Sequence, residues 1–171
     1  MNEPLKQIKL LLLDVDGVLT DGSITYTDAG EQIKTFNSSD GLGIRLLMDA
    51  GIQVGIITGR SSGALKHRCR NLNISILHDG TIEKAGAIED IARQTGIAKE
   101  NMGFVGDDLL DGPAMKLVGT SFAVANACPE IKECADRVTT ACGGHGAVRE
   151  VCESILKAAG HWPDIINRYL P

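Results

Sequence analysis

The chain has 171 residues, 43% of them apolar, with a formal net charge of -5 and a pI near 5.3. That length suits one soluble domain, residues 1–171, around one core and leaves no room for a second of similar size. The acidic balance argues against a broad basic face for nucleic acid, while a locally positive cleft for an anionic substrate stays open.

In chain order, the first candidate strand is Ile8–Leu13. Its run Leu10–Leu13 is too short to span a membrane and lies too close to Asp14 and Asp16 for a signal peptide. Gly22–Phe36 follows, with Ile24 and Tyr26 alternating with polar residues and a turn at Asp28-Ala29-Gly30. This pattern predicts a β-hairpin inserted after the first strand. Gly41–Ala50 predicts a helix with Ile44, Leu47 and Met48 on one face. Further strands are expected at Gln53–Thr58, Ile74–Leu77, Met102–Val105 and Ser121–Val124, each short and rich in Ile, Val or Leu. Helices are expected at Thr81–Thr95 and at Ala147–Ala159, where Val148, Val151, Cys152, Ile155 and Leu156 recur at helical spacing. The alternation implies an α/β fold, a doubly wound parallel sheet with helices on both faces. The tail after Gly160 is weakly amphipathic, and its apolar residues are candidates to pack on a partner subunit. Five cysteines form no C-x-x-C pair, so reduced thiols in a cytoplasmic protein are the simple reading.

Residues with chemistry collect at strand ends, where open parallel sheets bind ligands. Asp14 and Asp16 follow the first strand, and Gly17 allows a sharp turn beside them. They read either as a paired site or as turn and cap residues. Thr58-Gly59-Arg60 after the second strand makes an oxyanion site or an ordinary N-cap with a surface Arg. Lys84 lies near the start of the helix expected from Thr81, and reads either as a cation whose cost against the dipole a phosphate would offset or as an ordinary exposed Lys. Asp107, Asp108 and Asp111 follow an apolar strand and repel each other unless a cation lies among them; their oxygens suit hard Mg2+.

The set D-V-D-G-V-L-T, T-G-R, a lone Lys and G-D-D-x-x-D resembles the four motifs of the haloacid dehalogenase superfamily of phosphotransferases. Across nearly the whole chain it is more similar still to the capless 3-deoxy-D-manno-octulosonate 8-phosphate phosphatases, through Asp14–Gly22, Asn37–Ile44, Ile56–Arg60, Gly106–Asp111 and Gly143–Val151. That resemblance implies a phosphoric monoester hydrolase of lipopolysaccharide biosynthesis, a homotetramer without a cap domain, acting on a small phosphorylated sugar acid. It implies Asp14 as nucleophile and Asp16 as general acid and base. Mg2+ would be held by Asp14, the Asp16 carbonyl and Asp107, with Asp108 and Asp111 behind them. Thr58 and Lys84 would hold the transferring oxygens. The substrate would meet Asp16, Asn37, Ser38, Ser39, Asp40, Gly41, Gly59, Arg60, Arg68 and Lys84. Relatives often carry Arg where this chain has Ser39, a departure that bears on the sugar and keeps a nine-carbon keto-sugar phosphate as an alternative. A phosphoacceptor signalling domain would place its Asp mid-chain, and a non-catalytic tetramerising domain would have lost motif carboxylates. His145, between glycines, reads as a solvated loop residue, and the Gly143–Gly146 stretch as a candidate to reach a neighbouring subunit.

Overall fold

The computed structural model describes residues 3–170. A short helix α1 (Glu3–Lys6) leads into β1 (Leu10–Leu13), whose four leucines are all buried. β4 (Gln53–Thr58), β5 (Ile76–Asp79), β6 (Met102–Gly106), β7 (Thr120–Ala123) and β8 (Arg137–Val138) complete a six-stranded sheet in the order β5-β4-β1-β6-β7-β8. Every pairing in it is parallel. The chain builds outward from β1 to β5, then returns to build the other side from β6. β1 is therefore the switch point, and the crevice at its carboxyl end is the expected ligand position.

The helices are α2 (Ser38–Asp49), α3 (Gly63–Leu72), α4 (Lys84–Thr95), α5 (Gly112–Met115), α6 (Pro129–Cys134), α7 (Ala147–Ala158) and α8 (Trp162–Tyr169). Right-handed crossovers put α2 and α3 on one face of the sheet and α4, α5 and α6 on the other. α7 packs against α2, and α1 and α8 pack against α7. The doubly wound sheet thus matches expectation. The strand expected at Ile74–Leu77 starts later because Asn73, in the left-handed region at φ 60°, still caps α3, and Ile74 N–H bonds back to Cys69 O. α4 starts at Lys84 rather than Thr81, since Gly80 turns at φ 71° and Thr81 N–H is taken by Thr58 O. α3 and the two-residue β8 lie outside the expected elements.

β2 (Thr25–Tyr26) and β3 (Gln32–Ile33) pair antiparallel as the expected hairpin, separate from the main sheet. Its turn closes through Gly30 at φ 81°. Ile24, Tyr26 and Ile33 are left exposed. In the tail, Ile165 of α8 is buried in the chain's own core, whereas Ile166, Tyr169 and Leu170 stay exposed.

Gly146, the residue before α7, has no side chain to cap the helix. Asp40 supplies the cap from α2: its Oδ1 accepts from Arg149 N–H, the third residue of α7, at 2.8 Å. Burial pushes the Asp40 carboxyl above its ordinary value, and the bonds to α7 oppose that. Asp40→Ala should therefore lower unfolding stability by about 1–3 kcal/mol, or roughly 2–10 °C in Tm for a domain of this size. An unchanged thermal melt would show that the cap contributes nothing.

Candidate active site

The carboxyl ends of β1, β4 and β6 and the start of α4 meet in one cleft of about 300 Å3. It is lined by Asp14, Asp16, Gly22, Ile24, Thr58, Gly59, Arg60, Lys84, Asp107, Asp108, Leu110 and Asp111. A wider hollow between the hairpin and α3, about 570 Å3, has Glu31 as its one carboxylate.

Asp14 is anchored as a continuation of β1, with its N–H on Val105 O of β6. Lys84 enters from the first turn of α4 with 3% of its side chain exposed. Its Nζ lies 2.5 Å from Asp111 Oδ1 and 3.0 Å from Asp14 Oδ1. Asp111 is occupied on its other oxygen as well, where Oδ2 accepts from the N–H groups of Asp107 and Asp108. Asp108 in turn caps the short turn that follows, accepting from Leu109 N–H at 2.7 Å. These bonds fix the loop after β6 and aim Asp107 toward Asp14.

The charges are out of balance. Burial, with Asp111 adding and Lys84 opposing, pushes the Asp14 carboxyl up to about 6. Burial together with Asp14, Asp111 and Asp108 pushes Asp107 up to about 7. Burial works against the charge on Lys84, yet Asp14 and Asp111 outweigh it and hold its pKa above the ordinary value. One oxygen each of Asp14, Asp107 and Asp111 lie within 4.8 Å of one another. Asp111 is already bonded on both oxygens, but Asp107 Oδ1 is buried with no hydrogen-bond partner. That orphaned oxygen and an oxygen-only donor set fit a hard divalent cation held by Asp14 and Asp107. Gly17, at φ 89°, admits this arrangement, because a Cβ there would lie 2.0 Å from Asp107 Oδ2.

Thr58 is buried at the end of β4, and Arg60 stands half-exposed at the mouth with Nε 3.9 Å from Asp16 Oδ2. Lys34, absent from the sequence candidates, reaches in from beyond β3 and donates to Asp16 Oδ1. Its only sequence signal is its place in the hairpin next to Ile33.

The other candidates stand apart from this cleft. Asn37 caps α2 by accepting from Ser39 N–H and donates to Gly144 O at 3.2 Å. Ser38 is exposed, and the Ser39 hydroxyl donates to Asn37 Oδ1. Asp40 is turned inward on α7. Gly41 packs under Arg68, whose Nη2 donates to Asn37 O while its buried Nε has no hydrogen-bond partner. His145 is exposed, as expected. The Gly143–Gly146 stretch packs on its own chain: Gly144 N–H donates to Val18 O, and a Cβ on Gly143 would lie 1.7 Å from Gly17 O.

A family model described as haloacid dehalogenase-like hydrolase matches residues 73–150. The 3-deoxy-D-manno-octulosonate 8-phosphate phosphatase of Haemophilus influenzae is 46% identical, over 94% of this chain and 89% of its own length. That of Escherichia coli K12 is 48% identical, over 91% of this chain and 82% of its own. A crystal structure of the phosphatase of the same name from Moraxella catarrhalis, in complex with magnesium, phosphate and KDO, superposes with a TM-score of 0.96. It is 40% identical, over 98% of this chain and 97% of that one. The chain therefore belongs to the haloacid dehalogenase-like hydrolases, within the family of the 3-deoxy-D-manno-octulosonate 8-phosphate phosphatases.

Proposed function

We propose that residues 1–171 form one capless phosphatase domain that hydrolyses 3-deoxy-D-manno-octulosonate 8-phosphate to the sugar acid and phosphate, in lipopolysaccharide biosynthesis. The observation that carries this reading is the convergence of Asp14, Asp16, Thr58, Lys84 and Asp107 on one cleft at the switch point of the sheet. Asp14 is the nucleophile, and passing through an aspartyl phosphate splits one difficult displacement into two. Asp16 protonates the departing sugar oxygen and then takes a proton from the attacking water. Thr58 and Lys84 hold the transferring oxygens, and Lys84 also bridges Asp14 and Asp111. Asp14, Asp107 and the backbone carbonyl of Asp16 would hold Mg2+, which supplies the positive charge that lets an anionic nucleophile approach an anionic phosphate. Asp108 and Asp111 hold that arrangement from behind.

The sugar's carboxylate suits the half-exposed Arg60 at the mouth, with Arg68 of α3 as the second candidate cation. Ser39 offers no charge there, and its hydroxyl is engaged by Asn37. We place the protein in the cytoplasm, in keeping with its five free cysteines; no helix among the described residues is long and apolar enough to cross a membrane.

Asp14→Asn should cut turnover by at least about 10^4-fold with folding intact. Near-normal release of phosphate by that variant would defeat the nucleophile assignment. Chelator should abolish activity, with Mg2+ or Mn2+ restoring it.

The raised carboxyls make the metal visible without turnover. Folded Asp14 and Asp107 keep protons up to about 6 and 7, whereas the unfolded chain loses them near 3.8. The folded state binds more protons across that window, so metal-free protein loses stability as pH rises through it. Magnesium at a hundred times its Kd should add about 2.7 kcal/mol, roughly 5–10 °C in Tm at pH 8, and less at pH 5. A melt indifferent to Mg2+ at pH 8 would overturn the metal assignment.

We further propose a homotetramer in which neighbours cover each other's clefts. A lone hairpin is marginal in water, and this one exposes Ile24, Tyr26 and Ile33. Ile82, Leu109 and Leu110 are also exposed, Leu110 on the cleft itself. Light scattering at micromolar protein should give a tetrameric mass, and a fully active monomer would defeat the idea.

A further inference from the structure

Asp16 sits where the sheet no longer holds the chain. β1 ends at Leu13, and at Gly17 the backbone turns at φ 89°. Its carboxylate therefore hangs on two rotatable bonds, and cations fix its direction. Lys34 Nζ donates to Oδ1, and Arg60 Nε approaches Oδ2 at 3.9 Å. The two cations differ in how firmly they are held. The Arg60 side chain is 48% exposed, whereas that of Lys34 is only 4% exposed. Burying a lysine freezes one of the most rotamer-rich side chains and strips water from its ammonium. The bond to Asp16 is what offsets that cost.

We propose that Lys34 is a positioning residue for the reaction: by gripping Asp16 Oδ1 it fixes where the general acid points, so the hairpin governs leaving-group departure without touching phosphorus. This rests on the reading of Asp16 as the acid and base. In the first step an Asp14 oxygen attacks phosphorus, and the phosphorus–oxygen ester bond breaks with its electron pair passing to the sugar oxygen. That oxygen takes the proton of Asp16. Water then attacks the aspartyl phosphate and gives a proton back to Asp16, and the bond from phosphorus to Asp14 breaks. An alkoxide leaves poorly without that first proton, whereas a nitrophenolate leaves well without it. A misdirected Asp16 therefore penalises the sugar phosphate selectively. A lysine that held the phosphate itself would penalise both esters alike.

The test compares kcat/KM of the magnesium-loaded enzyme on the octulosonate phosphate and on p-nitrophenyl phosphate, since kcat/KM reports the steps up to aspartyl phosphate formation. Lys34→Met should lose about 10–100-fold on the sugar phosphate, within what a misplaced general acid costs. It should lose at most about threefold on the aryl ester, where little proton donation is needed. Lys34→Arg should recover most of the sugar-phosphate rate, and thermal melts should match wild type. In an Asp16→Asn background, Lys34→Met should remove nothing further. Equal losses on the two esters, no loss on either, or a further tenfold loss without Asp16 would each overturn the proposal. Wild-type protein inactive on the octulosonate phosphate would overturn the substrate reading instead, and the same comparison then runs on whichever alkyl phosphate it hydrolyses.

Discussion

The ammonium of Lys84 lies between the carboxylates of Asp14 and Asp111, in contact with both and almost wholly shielded from water. Asp111 carries the hold onward to the backbone of Asp107 and Asp108. One cation thus ties the first turn of α4 to the end of β1 and to the loop after β6. It does not neutralise what it gathers. Asp14, Asp107 and Asp111 carry three formal negative charges and Lys84 one positive, which leaves two negative charges in a buried cleft. Without a counter-ion the site answers by raising carboxyl pKa values, as Asp14 and Asp107 do. A divalent cation balances that remainder, and the unbonded Asp107 oxygen is where the deficit is felt. The core is compatible with this strain because the carboxylates sit on strand ends already fixed by parallel pairing on both sides of β1.

Close backbone packing supports the same site from below. Gly17 leaves room for Asp107, and Gly143 leaves room for the carbonyl of Gly17. Asn126, after β7, accepts from Gly143 N–H at 2.7 Å and reaches Gly17 O with its amide. Asn37 holds Gly144 from the other side. The Gly143–Gly144 stretch therefore braces the turn that carries Asp16 within its own chain. A Cβ at Gly143 would lie 1.7 Å from Gly17 O and one at Gly144 2.5 Å from Asp21 N, so neither position accepts a side chain unless the segment after Asp16 moves. The packing of a remote loop and the course of the turn that carries Asp16 are one constraint.

Much of this was legible in the sequence, for a physical reason. Fully buried parallel strands read as short Leu, Ile and Val runs, so their ends, and the polar residues beyond them, stand out at Asp14, Thr58 and Asp107. Less was legible where a side chain acts at a distance. Asp40 sits in a stretch that resembles a substrate loop, yet it caps a helix 109 positions away, and nothing local marks Gly146 as a helix start in need of a partner. Lys34 shows the converse. A lysine in a polar hairpin looks solvated until the hairpin's position over Asp16 is known. α3 escaped because His67, Arg68 and Arg70 crowd around its buried Leu65, Cys69 and Leu72, leaving a thin apolar stripe.

On the proposed reading, chemistry and recognition are carried by different parts of the chain. The cleft, at about 300 Å3, stands at the small end of ligand pockets and suits a phosphoryl group with the first atoms of its ester. An eight-carbon acid would, on that reading, extend past it, toward Arg60, Ile24 and Leu110. Those residues lie on loops and on the hairpin, whereas Asp14, Thr58 and Asp107 are fixed by the sheet. Loops tolerate change that strand ends do not. A change of sugar can then proceed at the mouth, at positions such as Ile24 and Arg60, while the charge arrangement around Lys84 stays fixed. The hairpin borders both halves: Ile24 at its edge lines the mouth, and Lys34 reaches from its base to the Asp16 carboxylate. On the proposed reading it joins the shape of the sugar to the geometry of proton transfer.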